Sequence, residues 1–357
     1  MSSIAETHRV RPLVVRFGAL GDMVILTVLI RHLHERFGEP VDILSSGGWT
    51  RPLLESQPGI GNLYLLKSRR WPYWFSREQQ SMVTQLRARG PSATWLADYD
   101  NVKTRALLHR AGWTDAHACD SLGFSDLQGV HMCDLFLRFA YRNPGILGGE
   151  DLALTATDVY GQLHVSPGQR NDLQIWLAEK GLSDRPLILV QPGNKRTMRR
   201  GSRQRASNSK YWPEAHWAAV LRGLRERHPD HALLMLGVPA EADLNDEISK
   251  IAQVNDTYNV ARELPVSRLL ALSARARGMI SVDTGPAHAA AAVGCPVVTL
   301  FGKALPQQYA PRGPGVPVEC LTGVADGEQS ILGIQPGAVL AAWDRLIQNR
   351  LTQDRLI

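Results

Sequence analysis

Short apolar runs recur along this chain, each too short to be a helix: PLVVRF, ATWLAD, LILVQ, ALLMLG, GMISV and PVVTLF. Between them lie longer segments with helical spacing, among them SREQQSMVTQLRARG, NVKTRALLHRAG and PEAHWAAVLRGLRERH. A strand covered on both faces reads as a continuous apolar run, and parallel strands need a long crossover between them. The alternation therefore predicts parallel sheets wrapped by helices, an α/β protein. It runs twice. The first series opens with PLVVRF, the turn GALGD and one helix, MVILTVLIRHLHERFG, closed by Gly38; VDIL and NLYLL follow as strands. Residues 143–185 are mixed, with a linker expected near 170–185, and LILVQ restarts the rhythm. At 357 residues the chain suits two domains. The expected division is 1–178 and 179–332, with a terminal helix in 333–357. In doubly wound sheets, ligands bind beyond the carboxyl ends of the strands.

Several classes fall away early. Gly18 and Gly21 are spaced G-x-x-G, so the dinucleotide fingerprint G-x-G-x-x-G is missing after the first strand. The four cysteines form no C-x-x-C pair, which argues against a disulfide framework or zinc knuckle and for a reducing, cytoplasmic setting. The start, MSSIAETHRVRP, lacks the apolar region of a secretory signal, and no run of about 18 apolar residues suggests a membrane span. A net charge of +6 favours an acidic partner.

The stretch SVDTGPAHAAAAVGCPVVTLFG places polar groups at the mouth of a short helix between two buried strands. Gly285 is the expected N-cap and Pro286 the first helical residue, where a missing N–H costs nothing. Free N–H groups and the helix dipole make such a mouth an anion site. Asp283 is placed to accept from sugar hydroxyls, and His288 to donate to a phosphate or hydroxyl. The competing reading is that Asp283 or Thr284 caps the helix and His288 packs in the core. Asp22, at the start of the first helix, is either a cap or a general base.

Between Lys195 and Lys210 the chain carries Lys195, Arg196, Arg199, Arg200, Arg203, Arg205 and Lys210 with no acid, which suits a loop that grips phosphate. Nucleic acid is not the expected partner, because aromatic residues are not interleaved with these charges as a stacking platform requires. LLKSRRWPYWFSRE joins Lys67, Arg69 and Arg70 to Trp71, Tyr73, Trp74 and Phe75; it suits a membrane interface or acidic acceptor, or else a loop whose rings tuck inward. Asp98 and Asp100 form a D-x-D pair, too small a pattern to assign a metal, and none is expected.

These stretches together resemble the bacterial lipopolysaccharide heptosyltransferases, the ADP-heptose-dependent enzymes of glycosyltransferase family 9. VVRFGALGDMVILT looks like their opening strand, turn and helix. KSRRW resembles the basic segment of the heptosyltransferase I branch, and WLADYDNVKTRALLHRAG the strand and helix that follow. KYWPEAHW, LGVPAEADL and SVDTGPAHAAAAVGCPVVTLFG are similar to the family's C-terminal motifs. The resemblance implies a GT-B fold, two Rossmann-like doubly wound parallel-sheet domains facing across a cleft, often with the last helix crossing back to the first domain. It implies inverting transfer of heptose from ADP-heptose to an acidic Kdo–heptose inner-core acceptor without a metal cofactor, at the cytoplasmic face of the inner membrane. By position, Asp22 matches the base. Gly193, Lys210, Glu241, Asp283, Thr284, Gly285 and His288 match the donor side; Lys67, Arg69, Arg70 and Lys103 are acceptor-side candidates. The loop from Gly193 to Lys210 is longer and more basic than the family pattern, with Ser207 or Ser209 standing for its hydroxyl residues. Alternatives are another nucleotide-sugar or acceptor, a GT-B nucleotide-sugar 2-epimerase, and a non-catalytic basic protein that binds RNA or membrane.

Overall fold

The apolar runs form two parallel sheets, one in each of two compact units, Met1–Val159 and Tyr160–Ile357. The computed structural model describes residues 10–354 apart from 70, 122–128, 158, 195–196, 198–204 and 206.

In the first unit the strands are β1 (Leu13–Arg16), β2 (Val41–Ser45), β3 (Ile60–Leu65), β4 (Thr94–Leu96) and β5 (Ala118–Asp120), in the order β3-β2-β1-β4-β5, all parallel. The helices are α1 (Leu20–Ile25), α2 (Thr27–Phe37), α3 (Thr50–Leu54), α4 (Arg77–Arg89), α5 (Val102–Arg110) and α6 (Met132–Ala140). Leu13, Val15, Leu44, Leu96, Leu86 and Leu107 share one core that covers a face of this sheet. The helix expected as a single element after GALGD starts earlier, at Leu20, and divides at Leu26. The Thr27 hydroxyl donates to the Val24 carbonyl at 2.6 Å across the division.

The second unit has β6 (Leu187–Gln191), β7 (Ala232–Met235), β8 (Thr257–Asn259), β9 (Gly278–Val282), β10 (Val297–Phe301) and β11 (Val318–Thr322). Read from β8, their order is β8-β7-β6-β9-β10-β11, the dinucleotide-fold order 3-2-1-4-5-6. Its helices are α7 (Pro167–Glu179), α8 (Glu214–Arg227), α9 (Ala242–Ala252), α10 (Val266–Arg275), α11 (Gly285–Ala292), α12 (Pro306–Tyr309) and α13 (Pro336–Asp354). Each unit is thus Rossmann-like, and the chain has the two-domain α/β composition of the GT-B class.

The span expected as a linker near 170–185 is largely α7. Ser166 accepts from Gln169 N–H while Gln169 reaches back to Ser166 N–H, and Pro167 occupies the first turn. This capping box and Pro start the helix where the sequence is otherwise polar. Because α7 packs on α10, it lies in the second unit, not before the 178/179 division. The last helix is anchored in the second unit. Its apolar face, Val339, Trp343 and Leu346, is buried in the core that α8 and β10 supply, and Trp343 Nε1 donates to His228 Nε2 at 2.8 Å.

Candidate active site

A doubly wound sheet reverses its winding at one pair of strands, and the crevice beyond their carboxyl ends is the binding place. In the first unit that pair is β1 and β4, and Asp22 lies just past it. Arg16, the last residue of β1, is 4% exposed. It donates through Nη1 to the Ala97 carbonyl at 2.6 Å, just past β4, and through Nη2 to Asp22 Oδ1 at 2.9 Å. The other oxygen of Asp22 accepts from Ala19 N–H at 2.8 Å. Asp22 is therefore the acid that reaches back to cap α1, and its side chain still has 39% of its surface exposed. Asp22 thus caps α1, and its carboxylate stands at the switch point of this sheet. Gly18 is needed for this, since a Cβ there would lie 2.5 Å from Asp22 Cβ.

Asp98 completes the cluster. Its Oδ1 accepts from Phe17 N–H at 2.9 Å, and its Oδ2 lies 3.2 Å from Arg69 Nη2. Arg69 also stacks 3.7 Å from the Phe17 ring centre and donates to the Thr104 hydroxyl. Asp98 is thus held by arginine and backbone, and Asp100 accepts from Val102 N–H at 3.1 Å at the start of α5. Among the described residues no three His, Cys, Asp or Glu side chains are grouped to hold a metal ion. Of the acceptor-side candidates, Arg69 joins this cluster; Lys67 and Lys103 stand exposed outside it, and Arg70 lies outside the described residues. Arg16 escaped the sequence reading, because its Ala97 partner, 81 residues away, is brought near by strand order.

The aromatic segment does not tuck inward. Trp71, Trp74 and Phe75 are 70%, 76% and 83% exposed. Tyr73 turns in, against the Arg110 guanidinium at 4.7 Å.

In the second unit the switch falls between β6 and β9, where Gln191 stands beside Ser281. Here α11 begins. Thr284, not Gly285, is the N-cap; Gly285 and Pro286 are the first two helical residues. The Thr284 side chain makes no capping bond to the helix, and its hydroxyl lies 3.1 Å from Ser281 Oγ. The mouth of α11 is thus left uncapped by its own side chain. Lys210 Nζ donates to Asp283 Oδ2 at 2.5 Å and to the Asp283 carbonyl at 2.8 Å, which sets an ammonium at that mouth. The Ser209 carbonyl fixes the approach: a Cβ on Gly302 would fall 1.9 Å from it, so only glycine admits the chain that carries Lys210. His288 is buried within the first turn of α11.

Glu241, 3% exposed, sits over Gly193. Its Oε2 accepts from Val238 N–H at 3.0 Å and from Gln191 Nε2 at 3.3 Å. Burial raises its carboxyl above the usual range, against the lowering effect of those two donors. Gln191 Nε2 also donates to the Gly193 carbonyl at 2.8 Å, while Gln191 Oε1 is buried with no donor among the described residues. Gln191 was hidden in a strand that reads as core. In the basic loop, Arg205 binds Glu247 in two bonds of 2.7 and 2.8 Å and lies 3.0 Å from Glu214, so this arginine is engaged with two carboxylates. Lys195, Arg196, Arg199, Arg200 and Arg203 lie outside the described residues. The two units thus carry complementary chemistry: a carboxylate aimed by arginine, and a cationic helix mouth suited to an anion.

Known proteins share this fold. Residues 150–323 match the model of glycosyltransferase family 9 (heptosyltransferase). Lipopolysaccharide heptosyltransferase 2 of Salmonella typhimurium is 24% identical over 353 residues, spanning 90% of this chain and 94% of that protein. The fold is that of the Escherichia coli ADP-heptose lipopolysaccharide heptosyltransferase II structure, at a TM-score of 0.73 and 20% identity over 95% of this chain and 99% of that one. A family 9 glycosyl transferase structure from Veillonella parvula gives 0.75 at 15% identity, over 95% and 98%. The matched segment holds the Lys210–Asp283 pair, Glu241 and the whole of α11, and over these residues the chain carries a glycosyltransferase family 9 (heptosyltransferase) domain.

Proposed function

We propose that this chain transfers a heptose from ADP-heptose, with inversion and without a metal cofactor, to an acidic, lipid-linked inner-core acceptor of lipopolysaccharide. The observation that carries this reading is the Lys210–Asp283 pair at the uncapped mouth of α11, set at the switch point of the second sheet. The names of the full-length relative and of the E. coli structure support the choice of sugar and acceptor.

In this mechanism the donor diphosphate lies at the start of α11. As the bond from the anomeric carbon to the diphosphate oxygen breaks, negative charge builds on ADP. The helix N–H groups and Lys210 are already oriented to receive it, which is what makes preorganised donors effective. Two of the three ammonium donors of Lys210 are taken by Asp283, leaving the third for phosphate. Asp283 and His288 read the sugar hydroxyls, and Glu241 with Gly193 takes the nucleoside. Asp22 accepts the proton of the acceptor hydroxyl, whose oxygen forms the new bond on the opposite face of the anomeric carbon. Arg16 holds that carboxylate in place. Lys67, Arg69, Arg70 and Lys103 serve the acidic acceptor, and Trp71, Trp74 and Phe75 rest at an anionic inner-membrane surface on the cytoplasmic side. Among the described residues no helix is long and apolar enough to cross a membrane.

The test is calorimetric titration of metal-stripped protein with ADP, UDP and GDP, followed by turnover of ADP-heptose with and without a Kdo-bearing acceptor in EDTA. Selective ADP binding and acceptor-dependent ADP release are expected. Preference for UDP would move the donor to another sugar, and conversion of the donor without acceptor would mean an epimerase.

A further inference from the structure

At the opposite edge of the second sheet, beneath the amino-terminal ends of β6, β7 and β9, lies a cavity of about 270 Å³. Arg275, Arg277, Arg350 and His231 line it, with Leu187 and Ile347 as apolar wall, and among the described residues no acid lines it. Two of the arginines are partly engaged. Arg350 Nη1 donates to the Arg277 carbonyl at 3.0 Å, and Arg275 Nη2 donates to the Ser183 carbonyl. Arg277 is different: its Nε is buried with no hydrogen-bond acceptor among the described residues. Both ring nitrogens of the adjoining His231 are buried and equally without partners. His228, whose ring centre is 4.9 Å from that of His231, has its Nε2 taken by Trp343 N–H.

A buried cationic donor without an acceptor is costly, and here three guanidinium groups and an imidazole share one hole. The local field has the matching sign. Burial first, then His228 and Arg277, push His231 down to about 4, with Arg225 adding and Asp230 opposing. Arginine forks suit oxyanions with several equivalent oxygens.

We propose that this cavity is a second anion site, built to hold the phosphate group of a small phosphorylated molecule, separate from the mouth of α11. Arg277 and His231 supply the unfilled donors, His231 taking up a proton as the anion enters. Leu187 and Ile347 leave apolar space for the organic substituent.

The experiment follows the ring nitrogens of His231 by NMR in the full chain, titrated with inorganic phosphate in saturating ADP, with chloride at equal ionic strength as the blank. A saturable shift toward the protonated ring is expected with phosphate and not with chloride. Arg277→Ala should weaken phosphate by about tenfold or more, the scale of one lost charge-assisted hydrogen bond. Arg275→Glu, at an exposed side chain, should do the same if the first variant fails to fold. ADP affinity should be unchanged in both. Glycerol 1-phosphate and vesicles containing phosphatidic acid then separate the sources: a shift with the former marks a soluble ligand, and with the vesicles alone a lipid headgroup. Equal response to phosphate and chloride, or unchanged phosphate binding in folded variants, would overturn the site whatever the outcome for the nucleotide.

Discussion

The Arg16 guanidinium donates to Asp22 Oδ1 at 2.9 Å while its other terminal nitrogen donates to the Ala97 carbonyl at 2.6 Å. One buried side chain thus ties the Asp22 carboxylate to the end of β4. Asp22→Asn keeps the shape and the cap acceptor and removes the proposed base. Turnover should fall about 10²–10⁴-fold, the range for a positioned acid or base, with ADP affinity unchanged in a calorimeter. Asp22→Ala adds the loss of a cap, about 0.5–2 kcal/mol, so Asn is the cleaner variant. Arg16→Lys retains the charge but not the fork, and should lower kcat with little change in KM for the donor. Full activity in Asp22→Asn would remove this residue from the chemistry.

Lys210 and Asp283 should behave as one unit. Lys210→Met leaves a carboxylate buried at the mouth of α11, where it repels a diphosphate; Asp283→Asn leaves the ammonium but loses its anchor. Each should weaken ADP at least tenfold by titration. The double variant should lose less than the sum of the two, because the residues share one contact. Strict additivity would mean that they act separately.

Glu241 gives a pH signature. Its carboxyl titrates higher in the fold than in the unfolded chain because burial opposes the charge. Between the ordinary value of 4.5 and that raised value the fold binds more protons than the unfolded chain, so stability falls as pH rises through the window. Glu241→Gln removes this dependence. Its melting temperature should gain on that of the parent as pH rises above 4.5, and the difference should be smallest below it. Parallel pH curves for the two proteins would contradict the buried charge.

The exposed rings should matter only to a surface. Replacing Trp71, Trp74 and Phe75 by serine removes little packing, so thermal stability should hold. Burial of one such ring is worth about 1.5–3 kcal/mol. Losing all three should therefore cut co-sedimentation with anionic vesicles well over tenfold. Vesicle binding equal to that of the parent would leave this segment for the acceptor alone.

The sequence made the inner strands plain and the edges obscure. β1, β6, β9 and β10 are buried on both faces and read as apolar runs, whereas β5 (Ala-Cys-Asp), β8 (Thr-Tyr-Asn) and β11 are partly exposed edges that passed as loop. Helix α7 went unread because only Leu173, Trp176 and Leu177 of its residues are buried, and its start is a capping box, not an apolar stripe. The helix mouth at Asp283 was legible from glycine, proline and polar residues packed into a few positions. Arg16, Gln191 and the anchoring of Arg205 were not, since each depends on a partner that strand order or a helix far along the chain brings near.

Each unit closes its own core, with Leu13, Val15 and Leu96 in one and Ile188, Trp217 and Trp343 in the other. In descent this separates two kinds of change. The residues assigned to the nucleotide all come from the half that matches the family model, and those assigned to the acceptor all come from the other. On the assignments proposed above, a lineage can try new acceptors by surface substitutions on the first half while the donor side stays under its own selection, and a chimera joined near Val159 would exchange one specificity without redesigning the other.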